Sequence, residues 1–289
     1  MGGGSGSVPG VNSLSGVGKL CSGSAHSVGM LLMAAHLVGH EARSPARDTI
    51  EALGEFEAYV RALHRSHYSL STDLTATNLG FKDSFSPSLR EGIQGAATRL
   101  IAPWSRLRAR SLVKDPLRLH LGSGLSRREG WVNIDLLGLP TDLAWDLRMG
   151  LPFRDSQAEA IFHEHLLEHL PLVAVLPFLR ECLRVLHVGG VLRVGVPDAG
   201  LYIRDYVEPS GFIASFRPGR PTPLLALAEA AYCYGHLSLW DGSTLCLALT
   251  EAGFEHVTER AFGESSISPA PDGPNRRMES VYAEGIKPG

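Results

Sequence analysis

A Gly-Ser-Gly turn, Gly122, Ser123 and Gly124, follows the apolar run Leu119–Leu121, and an acid, Asp135, closes the next apolar run. Glycines at the end of a strand let a ligand approach the backbone. An acid at the tip of the neighbouring strand can accept hydrogen bonds from a ribose diol. Together they point to an adenosine-type ligand on a doubly wound α/β sheet. The third glycine of a dinucleotide fingerprint would fall at position 127, which is Arg127, and only ten residues separate Gly124 from Asp135. That connector is too short for a helix plus a strand, so no helix N-terminus is expected to meet a pyrophosphate. A nucleoside without a diphosphate fits this pattern; NAD and FAD do not.

A second group of residues could move protons. His163, His165 and His169 fall within seven residues, at the end of a predicted strand and the start of a helix. His165 is the first candidate for a base or a substrate contact. His169 either caps the helix start or contacts substrate. A metal is not expected, because His165 and His169 share a helical face only if the helix begins before 165. Further on, Asp198 is either an acid–base residue or a helix cap. Tyr202 and Tyr206 share one helical face and either line an acceptor pocket or pack as core. His236 and Trp240 stand at helical spacing; His236 is a second base candidate or a packed histidine. The pairs His36/His40 and His64/His67 have metal-compatible spacing but no carboxylate or cysteine beside them, and are read as solvated or packed.

The elements that would hold these groups follow from periodicity. Met1–Ser7 is all Met, Gly and Ser, and small polar residues stay frequent to Ser27, which predicts a disordered lead or tag over 1–27. Apolar spacing predicts helices over 28–42, 48–67 and 93–112, a helical extension at 28–115 that serves as a lid or as the surface of a homodimer. From Leu117 the period changes to alternating strands and helices. Strands are expected at 117–121, 131–135, 143–146, 159–163, 190–196, 255–262 and 279–285. Helices are expected at 170–187, with Leu176, Leu179, Leu183 and Leu186 on one face and Gly189-Gly190 ending it, at 223–234, and at 243–252 from Ser243 or Thr244 to Gly253. The segment 199–242 is long for a crossover and is read as an insertion that shapes a substrate pocket.

Composition narrows the class. The chain has 289 residues, 44% hydrophobic and 20% charged, with a net charge of −3. No basic tail or stripe supports nucleic-acid binding. No apolar run reaches membrane-spanning length; Val28–Val38 is the nearest and is read as a buried or amphipathic helix. Cys21, Cys182, Cys233 and Cys246 form no CxxC pair, which suggests free thiols in a cytoplasmic protein. Four lysines against 23 arginines point to a GC-rich bacterial genome.

From about Leu117 to Pro288 the chain resembles the class I S-adenosylmethionine-dependent methyltransferases, in a bacterial, methyltransferase-11-like branch. The resemblance lies in LHLGSG at 119–124, GWVNIDL at 130–136, DLRMGLPF at 146–153 and AIFHEHLLEHL at 160–170. It continues in FLRECLRVLHVGGVLRVGVPD at 178–198, AGF at 252–254 and RRMESVYAEGIKP at 276–288. It implies a Rossmann-like seven-stranded, mostly parallel sheet with an antiparallel last strand at 116–289. It also implies S-adenosyl-L-methionine as cofactor, with Gly122, Ser123 and Gly124 facing its amino-acid part and Asp135 its ribose. Asp146, with Leu147, would sit beside the adenine, although Asp-Leu-Arg is also a ready local ion pair. Glu164 and His165 would stand where the methionine portion meets the acceptor. The expected activity is methyl transfer to an O or N atom of a small molecule, a secondary metabolite or sugar-like acceptor. The alternatives are another cofactor-assisted reaction, such as cyclisation or decarboxylation, or a non-catalytic binding module.

Overall fold

The structure, a computed structural model, describes residues 87–289. The lead at 1–27, the helices expected at 28–42 and 48–67, the pairs His36/His40 and His64/His67, and Cys21 lie outside the described residues. The helix expected at 93–112 is two helices, α1 (Pro87–Leu100) and α2 (Ala102–Leu112), parted at Ile101. Pro103 explains the break: its ring and missing N–H are tolerated in a first turn but not inside a continuous helix.

Next come β1 (Arg118–Leu121), β2 (Val132–Asp135), β3 (Leu143–Ala144), β4 (Ala158–Glu164), α3 (Leu172–Val185) and β5 (Leu186–Pro197). The chain continues through α4 (Ala199–Val207), α5 (Phe212–Phe216), α6 (Pro223–Tyr232), α7 (Gly242–Ala252), β6 (Glu255–Arg260) and β7 (Ser280–Ile286). The strands form one sheet in the order β3-β2-β1-β4-β5-β7-β6, with β7 antiparallel to both of its neighbours. All seven expected strands are present. The helix ends differ from expectation. Leu186 opens β5 rather than closing α3, and Gly189-Gly190 lie inside that strand. The buried side of α3 is Val175, Phe178, Leu179, Cys182 and Val185. α6 stops at Tyr232, and α7 is capped by Asp241, not Ser243 or Thr244, through a 2.7 Å bond from the Thr244 amide.

Strand register divides the sheet into two unlike faces. Side chains alternate along each strand, so aligned residues share a face. One face carries Leu119, Ile161, Leu192, Val194 and Ala283, with α3 and α7 packed on it as the main core. The other face carries Asn133, His120, Phe162, Arg193 and Glu284. The short β1–β2 connector lies there, with the Arg128 guanidinium 4.8 Å from the Phe162 ring. A strap at 261–279 covers the rest. Its Asp272 binds Arg193 through both carboxylate oxygens, at 2.5 and 2.6 Å, while Arg193 also reaches Glu284 at 2.9 Å. Arg193 is fully buried. Two carboxylates and the carbonyls of Ala261 and Glu264 satisfy its charge, which is the condition for burying one.

The insertion expected at 199–242 folds into α4, α5 and α6 around a small cluster of Tyr202, Ile213, Ala226 and Ala230. Among the described residues, no helix is long and apolar enough to cross a membrane. The described cysteines, Cys182, Cys233 and Cys246, are free thiols.

Candidate active site

The carboxyl ends of β1 and β2 carry the glycine turn and the acid. Gly122 (φ +63°) and Gly124 (φ +52°) adopt the left-handed conformation that side chains resist. A Cβ on Gly122 would come within 2.9 Å of Leu166, whereas one on Gly124 would meet open space. Asp135 accepts from the Gly124 amide at 2.7 Å and, through its other oxygen, from the Leu136 amide at 2.7 Å. These bonds tie the acid to the turn and fix the tip of β2. The Ser123 hydroxyl is buried without a hydrogen-bond partner. An open turn, an orphaned hydroxyl and an anchored acid fit a nucleoside with an amino-acid tail. No helix begins at the turn, so nothing there is built for a diphosphate.

Asp146, for which the resemblance implies an adenine contact, forms the local ion pair that its motif also allowed. It follows β3 and caps the short 3-10 turn Leu147–Met149. Arg148 binds both of its oxygens at 2.8 Å and Arg99 binds one at 2.9 Å. Burial works against its charge, but Arg148 and Arg99 hold the carboxyl below the usual range. Its carboxylate is thus committed to the local ion pair, and Leu147 beside it is half-buried. Glu164, at the tip of β4, accepts from the Tyr282 hydroxyl at 2.7 Å and the Gly273 amide at 3.0 Å. It joins β4 to β7 and to the strap; burial raises its pKa.

Beyond β4 the chain turns sharply. His165 has φ +52°, a strained value for a non-glycine residue of the kind often kept at functional sites. Its Nε2 lies 2.7 Å from the Ser280 hydroxyl and its Nδ1 3.5 Å from Glu168. A 3-10 turn, Leu167–His169, then presents Glu168 and His169. The Leu237 amide donates to the Glu168 carbonyl at 2.6 Å, which brings His236 alongside. The His169 and His236 rings meet edge to face at 5.0 Å. Burial lowers the pKa of His165 to about 2 and of His236 to about 4, so both are neutral imidazoles. The structure therefore gathers His165, His169 and His236 at one place. His163 is excluded: it faces the helical side, against Phe178 of α3.

Other expected residues fall elsewhere. Asp198 caps α4 through the Gly200 amide at 2.8 Å and pairs with Arg204 at 3.1 Å, which is the cap alternative. His169 does not cap α3, whose N-cap position is Pro171. Tyr202 is buried and bound to Arg217 at 3.1 Å, but Tyr206 is half exposed, so the two tyrosines do not act as one face. His236 and Trp240 are not on a helix: Trp240 sits in an extended segment bridged to Asp198. A cleft is lined by Glu168, Tyr202, Ala230, His236 and Trp240. Glu168 is the residue that sequence reasoning missed. Its signal was the acid–histidine pair Glu168-His169, four residues after Glu164-His165.

A sheet of this order, with a glycine turn and an acid at adjacent carboxyl ends, defines a Rossmann-like α/β cofactor-binding domain. A family model described as a methyltransferase domain, methyltransferase-11, matches residues 142–194, from just before β3 into β5. That match covers less than a fifth of the chain. The chain is similar to a SAM-dependent methyltransferase structure from Archaeoglobus fulgidus, at 14% identity over 67% of this chain and 94% of that one, with TM-score 0.38. It is also similar to a putative methyltransferase from Haloferax volcanii, solved in complex with the methyltransferase activator Trm112, at 14% identity over 68% and 96%, TM-score 0.39. A third similar structure is a phosphoethanolamine N-methyltransferase from Haemonchus contortus, solved with S-adenosyl-L-methionine, at 10% identity over 65% and 53%, TM-score 0.40. No curated protein matches the sequence significantly.

Proposed function

We propose that this protein is a class I S-adenosylmethionine-dependent methyltransferase that methylates an O or N atom of a small-molecule acceptor, a secondary metabolite or sugar-like compound, as a cytoplasmic step of bacterial biosynthesis. The observation that carries the reading is the neutral imidazole of His165 beside Glu168 and His236, just outside the carboxyl end of β4. Acceptors in α/β sheets bind at that edge. The cofactor, when bound, supplies an activated methyl group on a sulfonium. The protein must align the acceptor, exclude water and take up a proton. Gly122, Ser123 and Gly124 receive the amino-acid part, and Asp135 orients the ribose. His165 would receive the proton of a hydroxyl acceptor as its oxygen bonds to the methyl carbon and the methyl–sulfur bond breaks with its electron pair left on sulfur; an amine acceptor would attack as the free base. The Ser280 hydroxyl holds the ring. The insertion at 199–242 shapes the acceptor side through Tyr202 and Trp240.

The test is titration and turnover. S-adenosylhomocysteine is expected to bind with micromolar affinity, about −8 kcal/mol. Asp135→Ala should weaken it by about tenfold or more, on the scale of one charge-assisted bond. His165→Ala should keep that binding but lose methyl transfer to a panel of hydroxyl and amine acceptors. Unchanged binding in Asp135→Ala, or a product that gains no methyl mass, would refute the reading.

A further inference from the structure

Glu168 has a property that proton transfer by His165 leaves unexplained. Its side chain is 1% exposed, and neither carboxylate oxygen has a hydrogen-bond partner. A buried carboxylate in that condition is costly when charged; burial pushes its pKa up to about 8. Yet its surroundings are not apolar. Ligand-capable atoms of Glu168, His169 and His236 all lie within 4.8 Å of one another. The His236 Nδ1 meets the Ala230 carbonyl at 2.6 Å, so that nitrogen is the donor. Its Nε2, 4.0 Å from Glu168, then carries a lone pair instead of a proton. A ring nitrogen of His169 is likewise held by the Gly235 backbone. Backbone carbonyls behind histidines are how proteins fix ring orientation and tautomer for a ligating nitrogen.

We propose that Glu168, His169 and His236 form a binding site for a divalent cation of zinc-like preference. Two neutral imidazoles and one carboxylate suit a borderline-soft ion, and three protein ligands leave a coordination position open. Ligand atoms about 2.1 Å from one tetrahedral ion stand about 3.4 Å apart, a contraction of at most about 1.4 Å from the observed separations that side-chain torsions can supply. The ion gives the buried carboxylate its missing partner. The nearby cations do not compete for it: Arg276 pairs with Glu279 at 2.9 Å, and Arg217 with Glu229 at 3.2 Å and Glu279 at 3.4 Å. Glu168 and His236 also line the cleft with Tyr202 and Trp240. An ion there would hold an acceptor oxygen and favour its deprotonated form, the proton leaving to His165 or water. That last role rests on the proposed function; cation binding does not.

The test uses the full chain, stripped with a chelator and confirmed folded by circular dichroism. Zinc chloride is titrated by calorimetry, and cobalt(II) serves as an absorbing probe. One site per chain is expected, micromolar or tighter, with magnesium failing to compete because it prefers all-oxygen sites. Glu168→Gln and His236→Gln should each weaken zinc by about 100-fold or more and abolish the cobalt spectrum. His187→Gln, at a half-buried histidine outside the cluster, should change neither. The absence of zinc binding in the wild type, or binding unaltered in both folded cluster variants, overturns the proposal. S-adenosylhomocysteine titrated into the same stripped protein keeps the readings apart: its failure to bind would remove the proposed function and leave the cation site standing or falling on its own data.

Discussion

Asp135 ends β2 and Asp146 follows the neighbouring strand β3, and in sequence both look able to touch a nucleoside, Asp135 the more so. Their partners separate them. Asp135 accepts two backbone amides at the glycine turn, while Asp146 is buried and gripped by Arg99 and Arg148. Asp146→Asn should therefore cost about 1–3 kcal/mol of stability, because it leaves a buried amide against two arginines. S-adenosylhomocysteine affinity, measured where the variant is still folded, should stay within about threefold, well under 1 kcal/mol. A fully stable variant that no longer binds would reverse the assignment and restore the adenine contact. The ion pair was visible in the motif Asp-Leu-Arg, but Arg99 was not, since it arrives from α1, 47 residues earlier. Glu168 was hidden for a similar reason. Its meaning depends on His236, which only the return of the chain at Leu237 brings near.

Whole elements were easier to read than the residues between them. Short apolar runs between helical patterns located all seven strands, because a strand buried on both faces reads as a continuous apolar run. Helix ends were harder. Leu186 continues the helical spacing of α3 yet begins β5, and Pro103 splits what reads as one helix. The strap at 261–279 had no periodic signal at all. It is held by Arg193, Asp272 and Glu284, a contact made across 79 and 91 residues. Burial opposes the charge of Glu284, but the Ser265 hydroxyl, the Ser266 amide and Arg193 outweigh it and keep the carboxyl below its usual value near 4.5. A lowered carboxyl pKa stabilises the fold above the unfolded value and loses that contribution as pH falls through the folded one. Glu284→Gln should thus be less stable than wild type at pH 7, by about 1–3 kcal/mol. The gap should narrow only below about pH 4.5, as the wild-type carboxyl takes up its proton. Urea unfolding of both proteins from pH 7 to pH 3 measures this. A gap that stays constant would mean that the strap is held by shape and not by the charge of Glu284.

At the scale of the molecule, one sheet serves two purposes by having unlike faces. α3 and α7 bury the apolar face and supply most of the core. The polar face, with His120, Arg193 and Glu284, is closed by the short β1–β2 connector and the strap. The brevity of that connector was legible from the count of residues between Gly124 and Asp135, and under the proposed function it selects the ligand. With no helix starting at Gly124, no set of free N–H groups and no aligned dipole meets a pyrophosphate. A nucleoside thioether would keep the proposed ribose contact with Asp135 and needs neither. Saturating S-adenosylhomocysteine, at about a hundred times its dissociation constant, should stabilise the fold by about 2.7 kcal/mol. For a domain of this size that raises the unfolding midpoint by about 5–10 °C. NADH and ATP at the same concentration should leave the midpoint unchanged, because their phosphates would enter a turn that offers them no charge. A thermal shift with NADH equal to that with S-adenosylhomocysteine would mean that the turn accepts a diphosphate after all, and that the missing helix does not select the ligand.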